Sequence, residues 1–320
     1  MMPFERAIDI RMGFLIQVAA TMIWLVPLDL CTAQDAPKAQ LSRPSAGWSS
    51  SWQFGGRTQA ATRLSGGGRF GVSQFGFNAS LGYQEQPSNR IAFSLSYQQR
   101  AYEFQSLGRW MEAQPWEHVH FLSLSLPIRR PLTPDWSMMF IPTLRTMVED
   151  LSDADQNLTG GAIVGFSRQI SPKLKLGPGL GVLTQLEDNP SFFPVIVVDW
   201  DLSDQWRLST GRGAGASQGP GLTLSYDWST SWDFLLSGRY ERFRFRTERQ
   251  GAAAHGIGED QSGSIYLTAA YAMLPNAKLN LFTGGHFGGS LSVEDGSGRQ
   301  ISERNYGFAP LIGFNMSARF

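Results

Sequence analysis

The chain ends in LIGFNMSARF (311–320), and the reading of these ten residues decides the fold. Ile312, Phe314, Met316, Ala318 and Phe320 are apolar, while Gly313, Asn315, Ser317 and Arg319 are small or polar. That is a period of two, the mark of a strand with one oily face and one wet face. Chain ends are usually polar and frayed. An apolar face carried to the last residue therefore needs a partner surface or an apolar solvent.

The same pattern recurs upstream. FGFNASLGY (75–83) sets Phe75, Phe77, Ala79, Leu81 and Tyr83 against Gly76, Asn78, Ser80 and Gly82. IAFSLSY (91–97), HFLSLSL (120–126) and SIYLTAAYAM (264–273) repeat it. Turn-like connections such as RRPLTPD (129–135), ISPK (170–173), LSDQ (202–205) and LPNA (274–277) alternate with long polar ones. The long ones are 107–115, 149–157, 211–221, 247–263 and 292–305. Such a chain is an up-and-down meander. The strands fall at 48–56, 69–84, 90–105, 118–128, 135–148, 159–170, 173–186 and 192–202. They continue at 205–212, 221–229, 232–246, 264–274, 277–288 and 306–320, giving fourteen, with twelve as the other count.

One segment breaks phase. Trp232, Phe234, Leu236 and Tyr240 are even, but Phe243 and Phe245 are odd. A one-residue bulge near 240–242 would restore one apolar face.

A soluble β-sandwich also alternates. Three features favour a transmembrane antiparallel barrel instead. The second face is Gly, Ser, Asn, Gln, Thr and Arg, whereas a filled soluble barrel needs bulky apolar residues inside. Trp48, Tyr83, Tyr102, Trp116, Trp136, Trp200, Trp206, Trp228, Trp232 and Tyr271 lie near strand ends, where membrane barrels carry aromatic girdles. In lipid, every backbone group must be paired internally, which only a helix or a closed barrel achieves.

The ending GFNMSARF resembles the C-terminal strand of Gram-negative outer-membrane barrels, which finishes in an aromatic residue. The resemblance implies that the barrel-assembly machinery reads this strand, with Phe314 and Phe320 as its signal. From about residue 47 to 320 the chain also resembles an uncharacterised, domain-of-unknown-function family of such barrels. GPGLTLSYDWSTSWDFLLSGRYERFRF (219–245) carries that likeness, and the family brings no assigned activity.

The N-terminus reads as a secretory leader over 1–33: a basic start, the apolar run MGFLIQVAATMIWLVPL, and a small residue at Ala33. An uncleaved anchor, or a lipoprotein acylated at Cys31, are the other readings. Cleavage after Ala33 would remove Cys31, the chain's one cysteine. Residues 34–46 read as a flexible lead-in to a barrel over 47–320. Beyond residue 28 no segment approaches the ~18 apolar residues of a membrane helix. Acidic and basic side chains balance at 27 each, so no net field points to nucleic acid.

Chemistry finds little footing. Lipid-hydrolysing barrels place His-x-Ser on one strand face so that the His takes the Ser proton. None of His118, His120, His255 and His286 has Ser at +2. His118 and His120 could share a metal, but no further ligand follows at suitable spacing, and a solvated pair is the plainer reading. The sequence therefore reads as a non-enzyme without metal or cofactor. The densest charge is RYERFRFRTER (239–249). With the bulge, Arg242, Arg244 and Arg246 would join Arg239 as pore-lining or lipopolysaccharide-contacting candidates; a balanced ion network with Asp233 and Glu241 is the alternative. The acidic loop Glu149, Asp150, Asp153 and Asp155 reads as solvated. A passive porin-like channel or small-molecule transporter is the leading function, a non-conducting structural or surface-interaction barrel the second, and an outer-membrane enzyme a distant third. Outer-membrane lipid and lipopolysaccharide are the expected surroundings in a Gram-negative cell, and oligomeric state stays open.

Overall fold

The computed structural model describes residues 46–86, 89–108, 116–211, 221–249 and 253–320. The leader reading of 1–33, and all but the last residue of the lead-in, lie outside them. No helix among the described residues is long and apolar enough to cross a membrane.

Sixteen strand segments make up the rest. They are β1 (Gly47–Arg63), β2 (Arg69–Gln86), β3 (Asn89–Gln105), β4 (His118–Ser125) and β5 (Ile128–Pro131). Then come β6 (Trp136–Val148), β7 (Leu158–Ser171), β8 (Leu174–Gln185), β9 (Asp188–Asp201), β10 (Trp206–Thr210) and β11 (Gly221–Asp227). The last are β12 (Trp232–Arg246), β13 (Ile257–Leu274), β14 (Ala277–Glu294), β15 (Gln300–Tyr306) and β16 (Ala309–Arg319). β4 and β5 both lie between β3 and β6, so they are two pieces of one stave. β15 and β16 both pair with β14 and form another. The staves number fourteen, antiparallel throughout the main sheet, and the β13–β14 and β1–β16 pairings close the ring. Closure leaves no unpaired edge for lipid to meet.

The C-terminal strand sits where its alternation requires. β16 is clasped between β1 and β14, with Phe314 opposite Gly56 on one side and Leu281 on the other. Phe320 exchanges two backbone hydrogen bonds with Ser50, each 2.8 Å, so the last residue is tied rather than frayed. Its side chain is 69% exposed on the outer wall. Phe54, Phe77, Phe93, Leu180, Phe192, Ile196, Leu236, Leu267 and Ile312 stand out from the same wall. An outer surface this apolar belongs in hydrocarbon.

The aromatic girdle gathers at the short-turn end. Trp48 packs on Tyr83 at 5.5 Å, Trp206 on Tyr226 at 4.7 Å and Trp232 on Tyr271 at 4.8 Å. On β12 the apolar outward row runs from Trp232 to Tyr240. Eight steps of ~3.4 Å at a tilt of ~40° rise roughly 20 Å, close to the ~25 Å apolar band of outer-membrane barrels.

Above that band the wall turns inside out. β12 pairs with β13 in unbroken register from Trp232–Tyr271 to Arg246–Ile257, so the bulge expected near 240–242 does not exist. The parity of β12 never changes; its surroundings do. Phe243 (6% exposed) and Phe245 (0%) face inward, and Arg242, Arg244 and Arg246 face outward, where carboxylates and the β8–β9 tip replace lipid. The same switch appears on β2, where Phe75 faces out and Phe70 and Val72 are buried inside. Tyr102 and Trp116, read as girdle aromatics, are also buried inside this upper part, at 4% and 1% exposed.

The upper part is a smaller ring. Arg246 of β12 pairs in parallel with Val148 of β6, and Glu149 N donates to Arg246 O at 3.0 Å. β12, β13, β14, β15, β1, β2, β3, β4 and β6 thus close without β7–β11. Phe70, Tyr102, Trp116, Phe245, Leu291, Val293 and Tyr306 fill it. The loops read at 247–263 and 292–305 are partly strand, because β13 begins at Ile257 and β14–β15 form a hairpin there. β1 likewise runs on to Arg63 instead of ending at 56.

Candidate functional site

Inward-facing residues below the upper ring form two unlike walls. On the β12–β3 arc the charges interlock. Arg57, Gln74 and Arg100 stand in one inward row across β1, β2 and β3. Arg57 Nη2 lies 3.0 Å from Glu241 Oε2, and Arg100 Nη2 lies 3.6 Å from the same oxygen. Arg100 Nη1 is 3.5 Å from Asp260 Oδ2. Tyr102 and Tyr306 each donate to Asp260 at 3.0 Å. Tyr266 donates to Glu241, as does Ser264 at 3.1 Å, and Ser264 meets His286 Nδ1 at 2.8 Å. The Arg100 guanidinium also lies 3.3 Å from the centroid of the Phe243 ring. All four charges are at least nine-tenths buried. In this septum Arg57, Arg100, Glu241 and Asp260 cancel one another, and Arg239, two residues from Glu241 on the same inward face, adds one positive charge. Losing one member of such a group strands its partner, at a cost of about 3–5 kcal/mol.

The β6–β9 arc is different. Its inward positions include Met139, Ile141, Ile163, Leu183, Phe193, Val195 and Val197, with Gly161, Gly165, Gly177, Gly179 and Gly181 between them. Large residues lie beside glycines: Ile163 faces Gly181, and Gly181 faces Phe193. A methyl at Gly181 would come within 2.1 Å of the Phe193 ring, so the far end of the ring lies over bare backbone. The result is an apolar stretch of wall, with Arg145 above and Lys175 below it, whose side chains remain half-exposed from within.

Near the short-turn end the lumen is polar. Lys278 Nζ meets Asp233 Oδ2 at 2.9 Å, Arg207 pairs with Asp201, and Asn280 donates to Asn315 at 3.3 Å.

The candidates from the sequence divide. Arg239 faces the lumen and is 7% exposed. Arg242, Arg244 and Arg246 do not line it, since without a bulge they keep the outward parity of Tyr240. They are paired there: Arg242 Nε with Glu259 at 2.9 Å, Arg244 Nη1 with Glu259 at 3.1 Å and with Glu294 at 2.8 Å. Arg246 meets Glu187 at 2.6 Å. Arg249 is bound to Asp153, so that acidic residue has a cation partner within the chain. His286 lines the interior beside Ser264. His120 faces outward and shares a 2.9 Å hydrogen bond with Tyr97, while His255 lies in the β12–β13 loop. Arg57, Arg100, Asp260 and Tyr266 went unmarked in the sequence. Their one signal was a charged or phenolic residue on an inward parity at similar heights of separate strands.

Residues 50–316 match the family described as a domain of unknown function (DUF6268). The chain belongs to the DUF6268 family. No curated protein sequence matches it. Among solved structures, this DUF6268 chain is similar to an outer membrane channel from Pseudomonas putida F1, at 10% identity and a TM-score of 0.48. That match covers 90% of this chain and 100% of the other. It is also similar to the P. putida toluene transporter TodX, at 10% identity and 0.40, covering 89% and 93%. A Pseudomonas aeruginosa FadL homologue matches at 9% and 0.42, covering 86% and 89%.

Proposed function

We propose that this DUF6268 barrel is an outer-membrane channel that passes small, uncharged, apolar solutes along one wall. The apolar, glycine-backed face of β6–β9 carries the reading. A lumen surface of half-exposed Met, Ile, Val and Phe loses free energy in water unless something apolar slides over it. Opposite it, the charges from Arg57 to Asp260 are tied to one another in buried pairs. The chain's parts then act without covalent chemistry, as a non-enzyme. The test is flux of a small neutral aromatic into proteoliposomes. Parent protein should exceed empty liposomes, and Phe193→Arg should lower that flux while the barrel remains folded. Equal rates for parent and empty vesicles would overturn the reading.

A structural barrel without flux is the second reading, favoured by the filled upper ring over the β12–β3 half. In either case we place the protein in the outer membrane of a Gram-negative cell, among lipid and lipopolysaccharide. Phe314 and Phe320 on the closing strand would be what the assembly machinery reads. Replacing Phe320 by Ser should then slow insertion into the membrane more than it lowers the stability of the finished barrel.

A further inference from the structure

Three arginines at the short-turn end of the lumen have no ion partner among the described residues. Arg90 and Arg129 stand directly opposite each other on β3 and β5. Their neighbours Ile91 and Ile128 are paired in the same way, and Ile91 is exposed on the outer wall, so both arginines point inward. Arg319 lies between the outward Ala318 and Phe320, on the inward side of β16 with Asn315 and Ser317.

Strand pairing does not explain these charges. Like charges directly across a strand pair repel, and Arg319 adds to the repulsion that Arg129 exerts on Arg90. Glu85, the nearest carboxylate in sequence, has the outward parity of Tyr83. It accepts from Asn89 at 2.6 Å, and Asn89 in turn accepts from Arg130 at 2.6 Å. Arg90, Arg129 and Arg319 form no side-chain hydrogen bond or ion pair with a described residue. Arg90 Nε and Arg319 Nη2 are buried without an acceptor. A charged donor buried in this way costs free energy that the fold alone does not recover.

The ground between the two is bare. Its inward positions are Ser49 and Ser51 on β1, Ser80 and Gly82 on β2, and Ala92 and Ser94 on β3. The Arg90 guanidinium lies across Gly82, where a methyl would come within 3.2 Å of Nε and 3.3 Å of Nη2. It thus reaches over β2 toward β1, where Ser51 is paired with Arg319. A floor of small side chains, with a guanidinium from each side and a third at its edge, is a cradle for an oxyanion. Guanidinium forks take carboxylate or phosphate oxygens two at a time. Three positive charges without a compensating carboxylate favour a dianion over a monoanion.

We propose that this cradle binds a phosphate group, free or carried on a small ester. Arg90 and Arg319 are its direct ligands, and Arg129 is a flanking charge. The site does not rest on the channel reading, since it needs only the β16–β1 seam and the lower ends of β2 and β3.

The test is urea unfolding and calorimetric titration of the refolded full barrel in micelles. Inorganic phosphate, glycerol phosphate, acetate and chloride are compared at one ionic strength. The parent midpoint should rise in phosphate or glycerol phosphate above its value in chloride, and the tighter of the two names the source. Arg90→Gln and Arg319→Gln should each weaken that binding by about tenfold or more. In chloride both should unfold at or above the parent midpoint, because each removes a repelled and unsatisfied charge. Lys278→Gln should leave binding unchanged, since Lys278 is already paired with Asp233. If Arg319→Gln fails to assemble, Arg90→Gln, which lies off the closing strand, carries the comparison. Equal parent midpoints in phosphate, glycerol phosphate and chloride would overturn the site. Equal gains from acetate and phosphate would overturn the assignment to a phosphate group. Lower midpoints for the variants in chloride, with phosphate binding retained, would make these arginines structural and overturn the proposal.

Discussion

Glu241 holds the lumen septum together, and its environment says what its loss does. Its carboxylate receives Arg57, Tyr266 and Ser264 and lies beside Arg100, with its side chain 2% exposed. Glu241→Gln keeps the shape and removes the charge, leaving Arg57 and Arg100 facing Asp260 alone. The expected cost is about 3–5 kcal/mol, read as a lower urea midpoint of the refolded barrel. A change under about 1 kcal/mol would mean that water already screens the group. Phe314 tests the outer wall in the same way. It lies midway along β16, with its ring 6.1 Å from Phe54. Phe314→Arg should cost about 2–4 kcal/mol near the midplane. Asn315→Arg, pointing into the polar lower lumen beside Asn280, should be far milder. Equal damage from both would contradict a lumen wet at that height.

At the scale of one strand, β12 meets two surroundings. Its even residues meet lipid from Trp232 to Tyr240 and the carboxylates of Glu259, Glu294 and Glu187 from Arg242 to Arg246, while its odd residues pass from the polar lumen to the core of the upper ring. A polarity-sensitive label on cysteine at position 236 should be quenched by brominated lipid, and labels at 242 and 244 should not. Quenching at 242 but not at 236 would reverse the assigned parity. Phe245→Ala should cost about 3–5 kcal/mol, because the ring is fully buried against Trp116 at 4.9 Å. The alternation of this strand was legible in the sequence, and so was its break. Its cause was not. A bulge and a change of surroundings leave the same residue pattern, and only pairing register with Ile257–Tyr271 separates them.

For the molecule as a whole, a fourteen-stave ring wide enough to conduct is half filled by its own charges and capped above by aromatic side chains. Ionic current through the parent in a planar bilayer should therefore be small. Replacing Arg57 and Glu241 together by Gln removes both charges without stranding either, so stability should change little while ion current rises. A large parent current would show that the septum does not seal. Strand number, closure and the outward apolar face were determined by the sequence alone, because period-two alternation and turn residues act locally and recur along each strand. The inward parity of Arg57, Arg100, Glu241 and Asp260 was equally local and equally readable. Their meeting was not, since it joins residues up to 184 positions apart through a ring closure that no local pattern encodes. The same holds for β12 meeting β6, and for the hairpin tip meeting Arg246. Those contacts depend on where staves stop relative to one another across the barrel, and only the tertiary structure decides that.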